Sequence, residues 1–173
     1  MPSDNDVPEK LIDQAREAAR RAHAPYSGFV VGAAVQTSDG SVYTSANMEN
    51  AAYGVTICAE VGAIQAAMGA GRFNSIARMA VVGGFIKPPH GYRRSVTTPC
   101  GRCRQIINES ASWSKLDIPV WCAHVDRKMN VDPEMYLISE LLPHGFGPDT
   151  LAIVEKWPIQ YEQLQYLIDR NSE

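Results

Sequence analysis

The hydrophobic pattern of this chain predicts an α/β fold, a mixed sheet with helices packed over its faces. Three observations carry that reading. β-rich runs at residues 29–37 and 41–47 flank Asp39-Gly40, a hairpin signal. Two further β-rich runs, 76–82 and 118–125, each follow a stretch with helical spacing. No internal repeat or low-complexity segment interrupts the order strand, strand, helix, strand, helix, strand, and 173 residues are the size of one ordinary domain.

Each element has a local cause. Asp6-Val7-Pro8-Glu9 combines a cap residue, an early proline and a first-turn acid, which predicts a helix start. Leu11, Ile12, Ala15, Ala18, Ala19 and Ala22 then recur at helical spacing, with Arg16, Glu17 and Arg20 opposite, until Pro25 ends the helix. Residues 58–70 are alanine-rich, with Val61, Ile64 and Met68 on one stripe and Gly71 as a stop, so a buried helix opening at Cys58 is expected. Lys87-Pro88-Pro89-His90-Gly91 reads as a surface loop. Pro99 before Cys100 marks another helix start, with Ile106 and Ile107 on its apolar face. Residues 128–142 read as a strand leading into a short helix closed by Leu141-Leu142-Pro143. Tyr161, Leu164, Leu167 and Ile168 predict a C-terminal amphipathic helix opened by Pro158.

Composition removes several function classes. With 45% hydrophobic and 20% charged residues the chain has the balance of a globular protein. A net charge of −3 and a pI near 5.8 provide no global field for nucleic acid, and the arginines at 20–21, 93–94 and 102–104 read as solvated faces. No stretch approaches the roughly 20 apolar residues of a membrane span, and the polar, acidic first ten residues carry no signal-peptide core. Four cysteines, two of them in a C-x-x-C pair, then favour reduced thiols or metal over disulfides, and a cytoplasmic protein is expected.

Chemistry concentrates in Cys58-Ala59-Glu60 and Pro99-Cys100-Gly101-Arg102-Cys103. Cys100 and Cys103, three apart, share one side of a first helical turn. Cys58 opens a different helix, and two helix N-termini would supply positive partial charge to thiolates. A catalytic zinc takes three protein ligands and leaves its fourth position to water, and a carboxylate such as Glu60 can move that water's proton. The bland readings are a redox C-x-x-C or buried cysteines packing as small hydrophobes. A structural four-cysteine site would need Cys122, which sits in the apparent strand Val120-Trp121-Cys122-Ala123 without a paired cysteine, and would leave Glu60 without a purpose. His23, His90, His124 and His144 are isolated and read as surface or structural residues.

C-A-E followed by P-C-x-x-C is close to the zinc-deaminase signature, with cysteine in the histidine position. From these residues outward the chain resembles the cytidine deaminase family, in its short, single-domain form. Residues 24–34, Ala-Pro-Tyr-Ser-Gly-Phe-Val-Val-Gly-Ala-Ala, are similar to that family's first strand, and residues 47–54, Asn-Met-Glu-Asn-Ala-Ala-Tyr-Gly, to its ribose loop. Residues 100–105, Cys-Gly-Arg-Cys-Arg-Gln, and 141–148, Leu-Leu-Pro-His-Gly-Phe-Gly-Pro, complete four co-linear blocks. The resemblance implies one domain over residues 1–173, with a core of about 11–151 and a C-terminal extension at 152–173. It implies a three-layer α/β/α sandwich around a five-stranded mixed sheet, and a homotetramer with composite active sites. It implies zinc on Cys58, Cys100 and Cys103, and proton shuttling by Glu60. Asn47 and Glu49 would hold the ribose hydroxyls, Phe29 would pack on the pyrimidine and Ala59 would line the substrate. Phe146, with Tyr53, would enter a neighbouring subunit's pocket. Each has a structural alternative: Phe29 as core, Phe146 as a loop aromatic packed locally, Asn47 as a turn cap.

The function so implied is zinc-dependent hydrolytic deamination of cytidine and deoxycytidine, in pyrimidine salvage. One residue departs from the family's pattern. Its motif usually continues Cys-Ala-Glu-Arg, and here Val61 follows Glu60. Three thiolates on zinc carry a net −1 that opposes acidification of the water, and valine cannot offset it; Arg102 and Arg104 are the nearest cations in sequence. Val61 and the long 85–98 loop motivate the alternative of a modified cytosine nucleoside, such as a blasticidin-type antibiotic, as substrate. A nucleic-acid cytosine editor is disfavoured, since Asn47 and Glu49 would clash with a chain continuing through the ribose hydroxyl. A non-catalytic zinc module leaves Glu60 unexplained.

Overall fold

The protein is described by a computed structural model over residues 7–93, 95–153 and 156–170. The expected cap Asp6 and Arg94 of the arginine pair lie outside the described residues. A helix α1 (Glu9–Ala19) leads into a hairpin of β1 (Phe29–Thr37) and β2 (Val42–Ala46), then α2 (Ala59–Gly69), β3 (Ile76–Phe85), α3 (Gly101–Ser114), β4 (Pro119–His124), β5 (Glu134–Leu137), α4 (Ile138–Leu141) and α5 (Trp157–Arg170). The five strands form one mixed sheet in the order β2-β1-β3-β4-β5. Only β3 and β4 run parallel, and α3 makes the crossover between them.

Strand alternation sorts the helices into layers. Ala34 of β1, Ala80 and Val82 of β3 and Trp121 and Ala123 of β4 face α1, whose Leu11, Ile12, Ala15 and Ala19 complete that core. Ala33, Val35, Met79, Val81, Val120 and Cys122 face the opposite side and pack against Ala59, Ala63, Ile64 and Ala67 of α2 and Ile107 and Ala111 of α3. The result is the expected α/β/α arrangement with five strands.

Small residues let the layers approach. A Cβ on Gly32 would lie 2.0 Å from the Ala15 carbonyl oxygen and 2.5 Å from the Ala19 nitrogen, so α1 rests on bare β1 backbone. In the β1–β2 turn Gly40 takes φ +86°, and Asp39 accepts from the Thr37 hydroxyl (2.6 Å) and the Ser41 N–H (3.0 Å).

Three element expectations need correction. α1 stops at Ala19 rather than near Pro25, because the backbone of His23 pairs with the β2 exit: its N–H donates to the Asn47 carbonyl and its carbonyl accepts from Glu49. Met68 is not on the buried stripe of α2 but 56% exposed, since Ala63 and Ala67 turn toward the sheet instead. β3 continues through Gly83 and Gly84 to Phe85. The C-terminal helix forms as expected, with Pro158 at its second position, but none of its residues is buried.

Candidate active site

The candidate residues gather at one end of the sheet. The N-terminus of β1, the exit of β2 and the carboxyl end of β3 meet there, Phe29 standing opposite Phe85 and Gly32 opposite Ala46. α2 and α3 both start at this end, which for parallel strands is where ligand sites form.

Cys58 is the N-cap of α2 and Cys100 the N-cap of α3, each with extended backbone, and Cys103 is the third residue of α3. Their sulfurs lie within 4.8 Å of one another, with Cys58 Sγ–Cys100 Sγ at 4.0 Å and Cys100 Sγ–Cys103 Sγ at 3.5 Å. Thiolates 2.3 Å from a tetrahedral ion stand about 3.8 Å apart, so the triangle fits zinc. Cys103 is buried, Cys58 half-buried and Cys100 exposed, which leaves the cluster open on one side. A hydrogen bond from the Cys103 thiol, with another from Cys100 and the charge of Arg102, pulls the Cys58 thiol down to about 6; Cys103 is displaced upward in turn. Cys122 is buried in β4 and does not join the cluster. Burial pushes its thiol up to about 12.

Glu60, the second residue of α2, is 4% exposed. Burial raises its carboxyl to about 7, reinforced by the Cys58 thiolate and opposed by a hydrogen bond from its own N–H. A carboxyl in that range both takes and gives a proton near neutral pH. Val61 is buried beside it, and no basic residue occurs on α2. Arg104 is committed elsewhere: Nε donates to the Pro99 carbonyl (2.8 Å) and Nη1 to the Leu141 carbonyl (2.9 Å). Arg102, between the two α3 cysteines, donates from Nη1 to the Thr56 carbonyl at 3.2 Å, tying α3 to the residues that lead into Cys58.

A pocket of about 250 Å³ adjoins, lined by Tyr26, Ser27, Glu49, Tyr53 and Thr56. Glu49 accepts from the N–H groups of Tyr26 (3.0 Å) and Ser27 (3.2 Å) and from the Ser27 hydroxyl (2.5 Å). Those bonds, the Ser27 hydroxyl first, hold its carboxyl below the usual range. Asn47 spans β1: its Oδ1 accepts from the Val31 N–H (2.8 Å) and its Nδ2 donates to the Phe29 carbonyl (3.0 Å). One donor and one acceptor site of the Asn47 amide, and one lone pair of Glu49, stay available for a ligand. Tyr53 is 74% exposed and edge-on to Tyr26 at 5.7 Å.

Phe146 is 57% exposed, while its carbonyl accepts from Gln105 Nε2 (2.7 Å) and Asn108 Nδ2 (3.2 Å). The structure thus brings together Cys58, Ala59, Glu60, Cys100 and Cys103 at two helix starts, and Glu49 with Tyr53 in the pocket. Sequence reasoning assigned no role to Ser27, Thr56, Gln105 or Asn108. Ser27 and Gln105 stand inside the four blocks of resemblance, which was the available signal. Of the histidines only His124 is buried, its Nδ1 accepting from the Asp126 N–H at 3.0 Å, a structural contact.

A mixed sheet carrying a zinc-compatible cysteine triangle and a buried carboxyl at two helix starts defines a metal-dependent hydrolase of the deaminase class. Residues 5–116 match the family model described as the cytidine and deoxycytidylate deaminase zinc-binding region. The cytidine deaminase of Sporosarcina psychrophila is 36% identical over 144 residues, covering 83% of this chain and 94% of that one. That of Halalkalibacterium halodurans is 38% identical over 143 residues, covering 83% and 96%. The crystal structure of cytidine deaminase from Burkholderia pseudomallei superposes with a TM-score of 0.67 at 37% identity, over 82% of this chain and all of the other. This chain belongs to the cytidine deaminase family.

Proposed function

We propose that this protein hydrolyses cytidine and deoxycytidine to uridine and deoxyuridine with release of ammonia, in pyrimidine salvage. Cys58, Cys100 and Cys103 would hold the zinc. Bound there, it supplies an acidified water, whose pKa falls from near 16 toward about 7. The observation that carries the reading is the placement of Glu60, a buried carboxyl two residues after Cys58 in the first turn of the helix that Cys58 caps, beside the cysteine triangle. Glu60 takes a proton from the attacking water and places it on ring N3 as oxygen adds at C4. It then takes the proton of the new C4 hydroxyl and passes it to the amine, which leaves as ammonia as the C4 carbonyl forms. Water enters, ammonia leaves, and the ring keeps its remaining atoms.

The other residues bind and orient. Asn47 and Glu49 take the ribose hydroxyls with the hydrogen-bonding sites that β1 and residues 26–27 leave spare. Phe29 lies against the pyrimidine, and the Ala59 backbone lines its edge. Arg102 offsets the extra thiolate charge that Val61 cannot, because its guanidinium lies at the mouth of both helices. Phe146, with Tyr53, reaches a neighbouring subunit in a homotetramer, as the exposure of both residues and of Met48 and Val55 near Tyr53 supports. The reduced thiols required by the site suit a cytoplasmic enzyme.

The test is ammonia release from cytidine by purified, zinc-loaded protein. Release that stops with a chelator and returns with zinc is expected. Loaded protein that releases none overturns the assignment.

A further inference from the structure

We infer that Phe85 and Tyr92 are positioning residues that hold the Phe29 ring in place, so that the long segment after β3 shapes the pyrimidine end of the pocket. The inference rests on the reading of Phe29 as the residue that packs on the base.

Phe29 opens β1 in register with Phe85, the last residue of β3. Both share strand parity with Ala33, Val35, Met79 and Val81, so both stand on the face covered by α2 and α3, the face of the cysteine triangle. Their rings meet edge to face, centroids 4.8 Å apart at 81°. Tyr92 then meets Phe85 in the same way, at 5.1 Å and 86°. The chain between them is stiffened by Pro88-Pro89 and by a turn in which the Tyr92 N–H donates to the Pro89 carbonyl. Its start is pinned as well, the Ile86 N–H donating to the Gly28 carbonyl at 2.9 Å.

The same segment returns to Phe29 from a second direction. A Cβ on Gly83 would lie 2.8 Å from Thr97 Oγ1, 2.9 Å from Thr97 Cγ2 and 3.1 Å from Phe29 Cε1, so the ring and Thr97 share the space a side chain would fill. Thr97 is anchored by its N–H on the Ala123 carbonyl and precedes Cys100 by three residues. Phe29 is thus bounded by Gly83, Thr97 and Phe85, with Tyr92 behind, and few rotamers remain to it. A ring that must match a flat base gains from such restraint, because misplacement by about 1 Å is costly in a reacting complex.

Steady-state kinetics on cytidine separates this from the underlying reading. Tyr92→Ala is expected to raise KM about three- to tenfold, the scale of one aromatic pair, with kcat within about twofold of the parent. Tyr92→Phe should restore KM, since the ring rather than the hydroxyl meets Phe85. Phe29→Ala combined with Tyr92→Ala should be no worse than Phe29→Ala alone. If Phe29→Ala raises KM and Tyr92→Ala does not, or if the two effects multiply, the positioning role is overturned and the pocket reading stands. If Phe29→Ala leaves KM unchanged, the reading of Phe29 falls and takes this inference with it.

Discussion

The proposed roles of Glu60 and the three cysteines put the chemistry within one helical turn on each of two helices, and single substitutions there separate binding from turnover. Glu60→Gln keeps the volume and the burial but cannot carry a proton. It should bind zinc with unchanged stoichiometry and lose about two to four orders of magnitude in kcat. Metal analysis beside kinetics checks both halves. Arg102→Gln should weaken zinc binding about tenfold in a chelator competition while Arg102→Lys retains most of it, because the charge rather than the fork is what the thiolates need. Equal affinity in all three proteins would remove Arg102 from the site. Away from the site, hydrogen bonds from Thr37 and Ser41 lower the Asp39 carboxyl from 3.8 to about 2. A depressed carboxylate stabilises the fold above its ordinary pKa, and that contribution is lost as pH falls through about 2. Asp39→Asn should therefore be less stable than the parent at pH 6 in urea unfolding, with the gap closing between pH 4 and pH 2.

At the scale of elements, what could be read in advance depended on whether the cause was local. β1 lies where the apolar run 29–37 placed it, and α2 and α3 begin one residue after Cys58 and Cys100. Proline, glycine and side-chain period act over a few residues, so those starts were legible. The end of α1 was not, because it is set by backbone pairing of His23 with residues on the far side of the hairpin. Gly83 and Gly84 look like breakers in the sequence. In the sheet they are strand residues whose missing side chains make room for Phe29 and Thr97, and for His124 and Val125. Gly32 plays that part under α1, and its substitution gives a clean test. Gly32→Ala would press a methyl into the Ala15 carbonyl and the Ala19 nitrogen, backbone atoms that cannot swing away. It should cost about 3 kcal/mol in urea unfolding, at the upper end of overpacking effects. A loss below about 0.5 kcal/mol would mean that α1 is not seated on β1 in this way.

For the whole molecule, the candidate site was legible as far as its atoms are covalently close. Three cysteines and a glutamate at helix starts announced themselves through spacing. The support of Glu49 by Ser27 and the grip of Gln105 and Asn108 on the Phe146 carbonyl were not, since those contacts join residues 22 to 41 positions apart. Assembly lies further still from local pattern. If Phe146 enters a neighbouring subunit, the protein should sediment near four times 19.0 kDa, and Phe146→Ala should shift it toward smaller species and lower activity together. A monomeric parent with full activity would rule out composite sites. The central claim is that three sulfurs share one ion and leave it an open position. X-ray absorption at the zinc edge of the purified protein tests this most directly. The account predicts one zinc per chain with three sulfurs at about 2.3 Å and one lighter neighbour; four sulfurs, or fewer than three, would contradict it.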